Sequence, residues 1–168
     1  VKIAGSGVSV DFSGFTVTGP GPSGCGSIGS GIFVRDDAYA NIHDNEILDI
    51  RDNPFSGCQN GVAIQVGRAS LSTSGSADIS NNVISGYQKN GVTISNTGSS
   101  ATVADNVITG AGATTTIAQN GVQFSGGATG NINGNTISNH SYSPGTYTST
   151  GILIYGSDAD TYGNTMSE

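Results

Sequence analysis

The amino-acid sequence predicts an all-β fold, a right-handed parallel β-helix of about five and a half coils with three short strands in each coil. Two repeats predict this fold. One is a glycine that opens a short strand and recurs every 30 residues. The other is an asparagine that stands between two apolar residues inside each coil. The repeating glycines are Gly31, Gly61, Gly91, Gly121 and Gly151.

The Gly-initiated strands are predicted to form the first wall of the β-helix. Apolar residues alternate along each of them, and this alternation places the apolar side chains on one face of a strand. The predicted inward pairs are Ile32/Val34, Val62/Ile64, Val92/Ile94, Val122/Phe124 and Ile152/Ile154. Three of the glycines follow Asn60, Asn90 and Asn120. Because Asn and Gly both tolerate positive φ, the Asn-Gly pair predicts a tight corner before each strand.

The second repeat predicts an asparagine ladder. Coils stacked at about 4.8 Å would align the repeated asparagines, so that each side-chain amide bonds its neighbours above and below. The predicted ladder residues are Asn45, Asn82, Asn106, Asn135 and Asn164. In the first coil Phe15 takes the place of the asparagine. The role predicted for these asparagines is therefore structural.

Composition and charge exclude several classes of protein. The chain has 27 glycines and only 10% charged residues, yet the regular spacing of Val and Ile excludes a disordered chain. A net charge of −7 leaves no basic face for nucleic acid. No apolar run reaches the roughly 18–20 residues that cross a bilayer. We expect residues 1–168 to form one domain, a segment of a longer secreted protein, because the chain begins at Val1.

The two cysteines, Cys25 and Cys58, are predicted to form a disulfide. They are separated by 33 residues, close to one repeat, which places them in the same kind of loop on neighbouring coils. Two free structural thiols are the alternative. A disulfide would indicate an oxidising compartment, and we therefore expect an extracellular or cell-surface location.

Insertions distinguish one coil from the others. Segments 19–30, 49–60, 110–120 and 139–150 are predicted to form long loops along one edge of the Gly-initiated wall. The coil between Gly61 and Gly91 has a short corner there, and its extra residues fall at 67–76. Insertions on one face of a repeat fold are commonly where ligands bind. The break in the loops near Tyr87 and Lys89 is thus the first place to look for a ligand.

The segment Val8–Gly21 and the repeated Asn-Gly-Val-x-Ile and Asn-x-Ile motifs carry a family resemblance. They resemble the right-handed parallel β-helix repeat proteins of the pectate-lyase-like superfamily, and the resemblance covers essentially the whole chain. It implies a group that includes polysaccharide lyases, polyuronate epimerases, glycoside hydrolases, phage tailspikes and non-catalytic surface proteins. The fold alone does not choose among these activities.

Catalytic motifs known from that superfamily are mostly missing. Hydrolase relatives carry Asn-Thr-Asp, Asp-Asp and Gly-His-Gly motifs, of which this chain has only Asp36-Asp37. The Asp-Pro-His-Glu motif of epimerase relatives is absent. Whether the chain is an enzyme therefore stays open. The candidates for a uronate lyase or epimerase are Arg35, Asp36 and Asp37, since such reactions need a base near a neutralised carboxylate.

Carboxylates near the first long loops are candidate Ca²⁺ ligands, and Ca²⁺ is the one cofactor that the sequence suggests. The candidates are Asp36, Asp37, Asp49 and Asp52. Ca²⁺ prefers such oxygen ligands. The alternative is a solvated charge cluster that keeps the surface soluble. His43 is expected to point to solvent, and His140 to decorate a long loop beside Tyr142 and Tyr147.

The leading functional hypothesis is an extracellular β-helix that binds an extended polysaccharide or cell-surface glycan. Sugars need hydrogen-bonding groups beside aromatic faces, and the outer side of the Gly-initiated wall offers both. Rings from adjoining loops, those of Phe55, Tyr87, Tyr142 and Tyr147, would border it. The predicted ligand-binding residues are Arg35, Gln65, Tyr87, Lys89, Gln123 and Tyr155.

Two other functions compete with this hypothesis. One is the uronate lyase or epimerase described above. The other is a structural subunit of a filament or surface array, in which coils of neighbouring chains stack end to end. The visible chain is almost entirely coil, and open solenoid ends expose strand edges that are normally covered.

Overall fold

A computed structural model describes residues 1–19, 21 and 23–168, and it confirms the parallel β-helix with three strands in each coil. The described residues form eighteen strands, numbered in chain order, in three six-stranded parallel sheets. The first coil contains β1, β2 and β3, and each later coil contains the next three strands. The six coils make about five turns. A short 3-10 helix, Ala69–Leu71, is the one helical element of the described residues.

The strands of the three sheets have the following bounds. Sheet A contains β1 (Lys2–Ala4), β4 (Ser30–Arg35), β7 (Val62–Val66), β10 (Asn90–Ser95), β13 (Asn120–Ser125) and β16 (Thr150–Tyr155). Sheet B contains β2 (Ser9–Ser13), β5 (Tyr39–His43), β8 (Ser76–Ser80), β11 (Ser100–Ala104), β14 (Thr129–Asn133) and β17 (Asp158–Tyr162). Sheet C contains β3 (Thr16–Thr18), β6 (Glu46–Leu48), β9 (Val83–Ser85), β12 (Val107–Thr114), β15 (Thr136–Tyr142) and β18 (Thr165–Ser167).

Stacked β-branched side chains fill the interior of the β-helix. On sheet C, Ile47, Ile84, Ile108 and Ile137 are buried one above another. Sheets A and B add similar columns of Ile and Val. Burial of one such side chain contributes about 1.5–3 kcal/mol, so these columns supply the main stabilisation of a fold that has almost no helix.

The Gly-initiated strands are not all in the register that the glycine spacing predicts. Ile32 pairs with Ile64 rather than with Val62, and Ile64 in turn pairs with Val92. The register of Gly61 therefore differs by two residues from that of Gly31 and Gly91. A shift of two residues keeps every side chain on its own face, because side chains alternate with period two. The core accordingly gains Val66, which is fully buried beside Ile94 and Val34.

Close packing, more than positive φ, explains the repeated glycines. Of the five, only Gly61 has a positive φ, +80°. At Gly121 a Cβ atom would lie 2.6 Å from the carbonyl oxygen of Gly151 and 2.7 Å from the Ile137 Cγ2 atom. At Gly91 it would lie 2.7 Å from the Ile108 Cγ2 atom. The predicted tight corner is thus a place where neighbouring coils leave no room for a side chain.

The asparagine ladder is confirmed in all five coils. Asn82 is typical: its Nδ2 donates to Asn106 Oδ1 at 2.9 Å and to the Ile42 carbonyl oxygen at 2.9 Å. The backbone N–H of Asn82 donates to the same Oδ1 atom at 3.0 Å. In the first coil, the backbone N–H of Phe15 donates to Asn45 Oδ1, which closes the ladder. The ladder thus supplies hydrogen-bond partners within the protein to polar groups of the turns between sheets B and C.

The disulfide between Cys25 and Cys58 is also confirmed. It links the loop after β3 to the loop after β6, with 5.5 Å between the two Cα atoms. The same loops meet at a backbone hydrogen bond from Ser23 N to Asn53 O at 3.3 Å. Neighbouring coils are thus cross-linked at the edge of sheet A. Among the described residues, no helix is long and apolar enough to cross a membrane.

Candidate functional site

A groove on the outer face of sheet A is a candidate binding site. Its volume is about 710 Å³. The floor consists of Asn120 and Gln123 from β13 with Thr150 and Leu153 from β16. The walls come from the second to the fifth coil and include Gln59, Lys89, Ile117, Tyr142 and Tyr147. We call this space the outer groove.

Extension of sheet C beyond its short strands builds the far wall of the outer groove. β12 and β15 stay paired past a register shift between Thr109 and Gly112, so that Thr114 lies opposite Tyr142. The backbone N–H of Ser143 then donates to Thr114 O at 3.0 Å. The rings of Tyr142 and Tyr147 lie 6.2 Å apart with a 49° angle between their planes. Strand pairing therefore holds Tyr142 in place, and the ring of Tyr147, from the segment after β15, lies beside it.

A second, smaller space lies beside the outer groove. Its volume is about 310 Å³, and Arg68, Ala69, Gln65 and Asn90 contribute to its lining. We call it the side cavity. Gln59 and Lys89 line both spaces, which makes the outer groove and the side cavity neighbours that meet at the Lys89 side chain. The predicted importance of Lys89 is consistent with this position.

The Lys89 ammonium group is partly buried. Its Nζ donates to the Ala118 carbonyl oxygen at 2.6 Å. Burial lowers the pKa of Lys89. No Asp or Glu of the described residues forms an ion pair with it, since the four ion pairs there involve Arg35, Arg51 and His43. The ammonium group therefore has donors left over for a ligand.

The floor of the outer groove is an ordered network of amides and hydroxyls. Asn120 Nδ2 donates to Asn90 Oδ1 at 3.1 Å, and Thr150 Oγ1 donates to Asn120 Oδ1 at 2.8 Å. Asn90 Nδ2 also donates to Thr93 Oγ1 at 2.8 Å and to Gln123 Oε1 at 3.1 Å. This is a second ladder, which the sequence analysis missed. The Asn-Gly repeat at positions 90 and 120 was its signal, but it was interpreted only as a corner.

Tyr87, predicted to bind ligand, lies in the interior and not at the surface, since its side chain is only 1% exposed. The corner after β9 turns the ring inward, where it packs over Gly91. Its hydroxyl group forms a hydrogen bond with His140 Nε2, and the two rings lie 6.0 Å apart. Burial raises the pKa of Tyr87.

The placement of His140 also differs from the prediction. It belongs to the extended β15 and is 8% exposed, so it does not decorate a surface loop. Burial lowers the pKa of His140 to about 4. Gly121 makes room for the ring, since a Cβ there would lie 3.2 Å from His140 Cε1. Tyr87 and His140 are thus part of the core.

Gln65 and Tyr155, both predicted to bind ligand, have different environments. Gln65 is 3% exposed, and its Nε2 donates to the carbonyl oxygens of Gly67 and Thr93. It forms a buried part of the side cavity and is not free on the surface. Tyr155 is 74% exposed at the end of β16, outside both spaces. Gln123 is the predicted residue that lies on the groove floor.

Arg35, Asp36 and Asp37 hold an insertion in place. Arg35 Nε donates to Asp36 Oδ2 at 2.9 Å, and Thr73 Oγ1 donates to Asp36 Oδ1 at 2.7 Å. The hydrogen bond from Arg35 and, to a smaller extent, the one from Thr73 hold the pKa of Asp36 below its usual range. Ser74 Oγ donates to Asp37 Oδ1 at 2.6 Å. The three predicted catalytic candidates therefore tie segment 67–76 to the turn after β4.

The four candidate Ca²⁺ ligands do not form one cluster. Asp36 and Asp37 follow β4, whereas Asp49 and Asp52 follow β6 at another corner of the coil. Asp49 pairs with Arg51 at 3.1 Å, and Asp52 is 1% exposed and accepts hydrogen bonds from the hydroxyl groups of two serines, Ser23 and Ser56. The described part of the chain contains no group of three or more His, Cys, Asp or Glu placed to hold a metal ion.

His43 lies between two carboxylates on sheet B. Its Nδ1 is 2.7 Å from Asp44 Oδ2, and its Nε2 is 2.8 Å from Asp11 Oδ1. The hydrogen bonds to Asp44 and then Asp11 raise the pKa of His43. The side chain is 26% exposed, so it reaches solvent only in part.

Fold and site together define a parallel β-solenoid with a polar, aromatic-walled groove on one sheet. Comparison with family models, curated proteins and solved structures finds no match to this chain. The resemblance to the pectate-lyase-like superfamily therefore stays a prediction, while the parallel solenoid of about five turns is established.

Proposed function

We propose that this chain is an extracellular protein that binds an extended polysaccharide in the outer groove. The observation that carries the proposal is the groove itself. It combines the rings of Tyr142 and Tyr147 with the amides of Asn120 and Gln123 and the ammonium group of Lys89. Sugars bind where aromatic rings meet their C–H faces and amides meet their hydroxyl groups.

The shape of the groove favours a polymer over a single sugar. Its lining residues include Lys89 at the corner before β10 and residues of β13 and β16, and these three strands are successive in sheet A. Strands in a sheet are about 4.8 Å apart, so a ligand in the groove crosses several coils. A volume of about 710 Å³ is within the range of small-ligand sites, enough for a few sugar units of a longer chain.

An extracellular location is supported by the disulfide between Cys25 and Cys58. Disulfides persist in oxidising compartments and are rare in the cytosol. Polysaccharides of cell walls and cell surfaces are found in the same compartments, which agrees with the proposed ligand.

The two alternatives gain no support from the described residues. A uronate lyase or epimerase would need Arg35 and its neighbouring carboxylates near substrate, but Arg35 and Asp36 bond each other, and neither lines the outer groove. End-to-end assembly stays a prediction, and light scattering over a range of protein concentrations tests it. Growth of the particle mass with concentration would favour it.

Binding to a panel of immobilised polysaccharides tests the proposed function. We expect Tyr142→Ala and Tyr147→Ala each to weaken binding about two- to tenfold, since the contact of an aromatic ring is worth about 0.5–1.5 kcal/mol. Tyr162→Ala is the matched control, because Tyr162 is 60% exposed on sheet B, away from the groove. If no polysaccharide binds, or if the three variants behave alike, the proposal is wrong.

A further inference from the structure

The walls of the outer groove come from four coils, and the third coil of the chain is short at this edge. The second, fourth and fifth coils contribute the long segments 49–60, 110–120 and 139–150, whereas the third has only the corner between β9 and β10. β9 ends at Ser85, so β12 pairs with it only from Val107 to Thr109. Contacts other than strand pairing therefore join the long segments across the short corner.

The side chain of Gln88 ties the short corner to the segment of the second coil. It is completely buried. Its Oε1 accepts a hydrogen bond from the Asp52 N–H at 2.9 Å. Its Nε2 donates to the Cys58 carbonyl oxygen at 2.8 Å and to Asn60 Oδ1 at 3.1 Å. These partners stand on both sides of Gln59, so the side chain of Gln88 holds this part of the groove wall in place.

The side chain of Gln119 ties the same corner to the fourth coil. It is also buried. Its Nε2 donates to the carbonyl oxygens of Tyr87 at 2.7 Å and Gln88 at 3.1 Å. Its Oε1 accepts a hydrogen bond from the Ala111 N–H of β12 at 2.7 Å. The amide group thus bridges the third and fourth coils as a peptide group of a paired strand does, with an acceptor on one side and a donor on the other.

The backbone of Gln119 extends this connection to the fifth coil. Ser149 Oγ donates to the Gln119 carbonyl oxygen at 2.6 Å, and the Gln119 N–H donates to the same Oγ at 3.2 Å. Ser149 stands two residues after Tyr147, which belongs to the aromatic wall of the groove. A continuous set of hydrogen bonds therefore runs from Cys58 through the two glutamines to the segment of Tyr147.

We propose that Gln88 and Gln119 are positioning residues of the outer groove, which hold its walls in the geometry that binds the polysaccharide. This inference rests on the proposed function, since it concerns the same groove. Neither glutamine is among the described residues that line the groove. Each uses the oxygen and both N–H bonds of its amide within the protein, so it acts on a ligand only through the segments that it holds. Walls that are fixed before binding lose little conformational entropy when a ligand binds.

Hydrogen exchange of the free protein tests the positioning role without any ligand. Gln88→Met and Gln119→Met keep the length of the side chain but remove its hydrogen bonds. We expect amide exchange to become about tenfold faster in the segments that each glutamine contacts, since buried partners are left unsatisfied. Gln65→Met is the matched control, because Gln65 is also buried and donates to two carbonyl oxygens but is not part of the outer groove. Unchanged exchange in the groove segments, or the same change of these segments in Gln65→Met, would overturn the proposal.

Binding measurements test whether the fixed walls matter to a ligand. Xylan, galactomannan and dextran are immobilised as probes, at a temperature where circular dichroism shows every variant to be folded. We expect Gln88→Met and Gln119→Met to weaken binding of any probe that the parent binds about fivefold or more, and Gln65→Met to leave it unchanged. Saturation with that probe should restore slow exchange in the groove segments of the two variants, an effect that a loss of overall stability would not produce.

The positioning role and the proposed function fail in different ways. If the parent and all three variants bind a probe with equal affinity, the positioning role is wrong and the proposed function stands. If the parent binds no probe, the polysaccharide is wrong as the occupant of the groove. Faster exchange confined to the groove segments of Gln88→Met and Gln119→Met would then still support the two glutamines as the residues that hold its walls.

Discussion

Tyr87 and His140 form a hydrogen bond inside the β-helix although 53 residues separate them in the sequence. Tyr87 belongs to the third coil and His140 to the fifth, and Gly110 of the fourth coil lies between them. A Cβ at Gly110 would lie 3.1 Å from His140 Cδ2, so the glycine lets the two rings reach each other. The pair is a polar contact in a core that is otherwise mostly aliphatic.

The first prediction concerns the pH dependence of stability. His140 has a pKa of about 4 in the folded chain, against about 6.5 for an unfolded histidine. The unfolded chain therefore binds the proton more tightly, and stability should fall as the pH falls from about 6.5 towards 4. The expected loss is on the order of 2–3 kcal/mol. Urea unfolding at a series of pH values measures it.

His140→Gln is the variant that isolates this effect. It should be less stable than the parent at pH 7 and should lose less stability between pH 6.5 and 4. His43→Gln is the control, because the pKa of His43 is raised and its contribution would vanish above pH 6.5 instead. An unchanged slope in His140→Gln would show that other groups cause the acid sensitivity.

The second prediction concerns the asparagine ladder. Asn106→Ala removes a side chain that donates to Asn135 Oδ1 and to the Ile79 carbonyl oxygen, and that accepts from Asn82. Because these partners are buried, we expect a loss of about 3 kcal/mol or more. Asn164→Ala should cost about 1 kcal/mol, since the last ladder residue is partly exposed. Equal losses in thermal unfolding would contradict this ranking.

The third prediction concerns the close approach of coils at the repeated glycines. Gly121→Ala would place a methyl group 2.6 Å from the Gly151 carbonyl oxygen, and the backbone would have to shift. We expect a loss of about 1–3 kcal/mol. Gly24→Ala is the control, because a Cβ there meets nothing within 4 Å. Denaturant midpoints of the two variants should differ clearly; similar midpoints would argue against the packing explanation.

The fourth prediction concerns the disulfide. Replacement of both Cys25 and Cys58 by serine opens a loop whose ends are 33 residues apart. Loop-closure entropy predicts a loss of about 3–4 kcal/mol. Addition of a reductant to the parent should produce the same loss, and the double variant should not respond to it. A parent that is insensitive to reductant in the unfolding assay would contradict the prediction.

The three-strand coil and the ladder could be predicted because they depend on local spacing. Asn45 and Asn82 each stand at the same short distance after an apolar residue of the preceding strand. This distance does not depend on the number of residues in the coil between them. The register of β7 could not be predicted in this way. The alternation of inward and outward residues along β7 fits two registers that differ by two residues. Only packing against the neighbouring coils distinguishes these two registers.

The candidate site could be predicted only in part. The sequence analysis placed Lys89 at the short corner before a Gly-initiated strand and Gln123 on the Gly-initiated wall, and the structure has both residues there. Tyr87 was misplaced because its direction depends on the corner after β9 and on a partner two coils away. The packing of Arg68 over the Phe33 ring could not be predicted, since nothing in the sequence shows that segment 67–76 folds back over that strand. Such contacts depend on tertiary structure, not on the repeat.

The asparagine ladder gives the β-helix a direction. Each Nδ2 donates to the Oδ1 of the following coil, never to that of the preceding one. The amide dipoles are therefore parallel, with their positive ends towards the later coils, and hydrogen bonds in such chains polarise one another. A coil duplicated between two others would extend this column only in the same orientation. Growth of the repeat by tandem duplication thus preserves the electrostatic polarity of the whole stack.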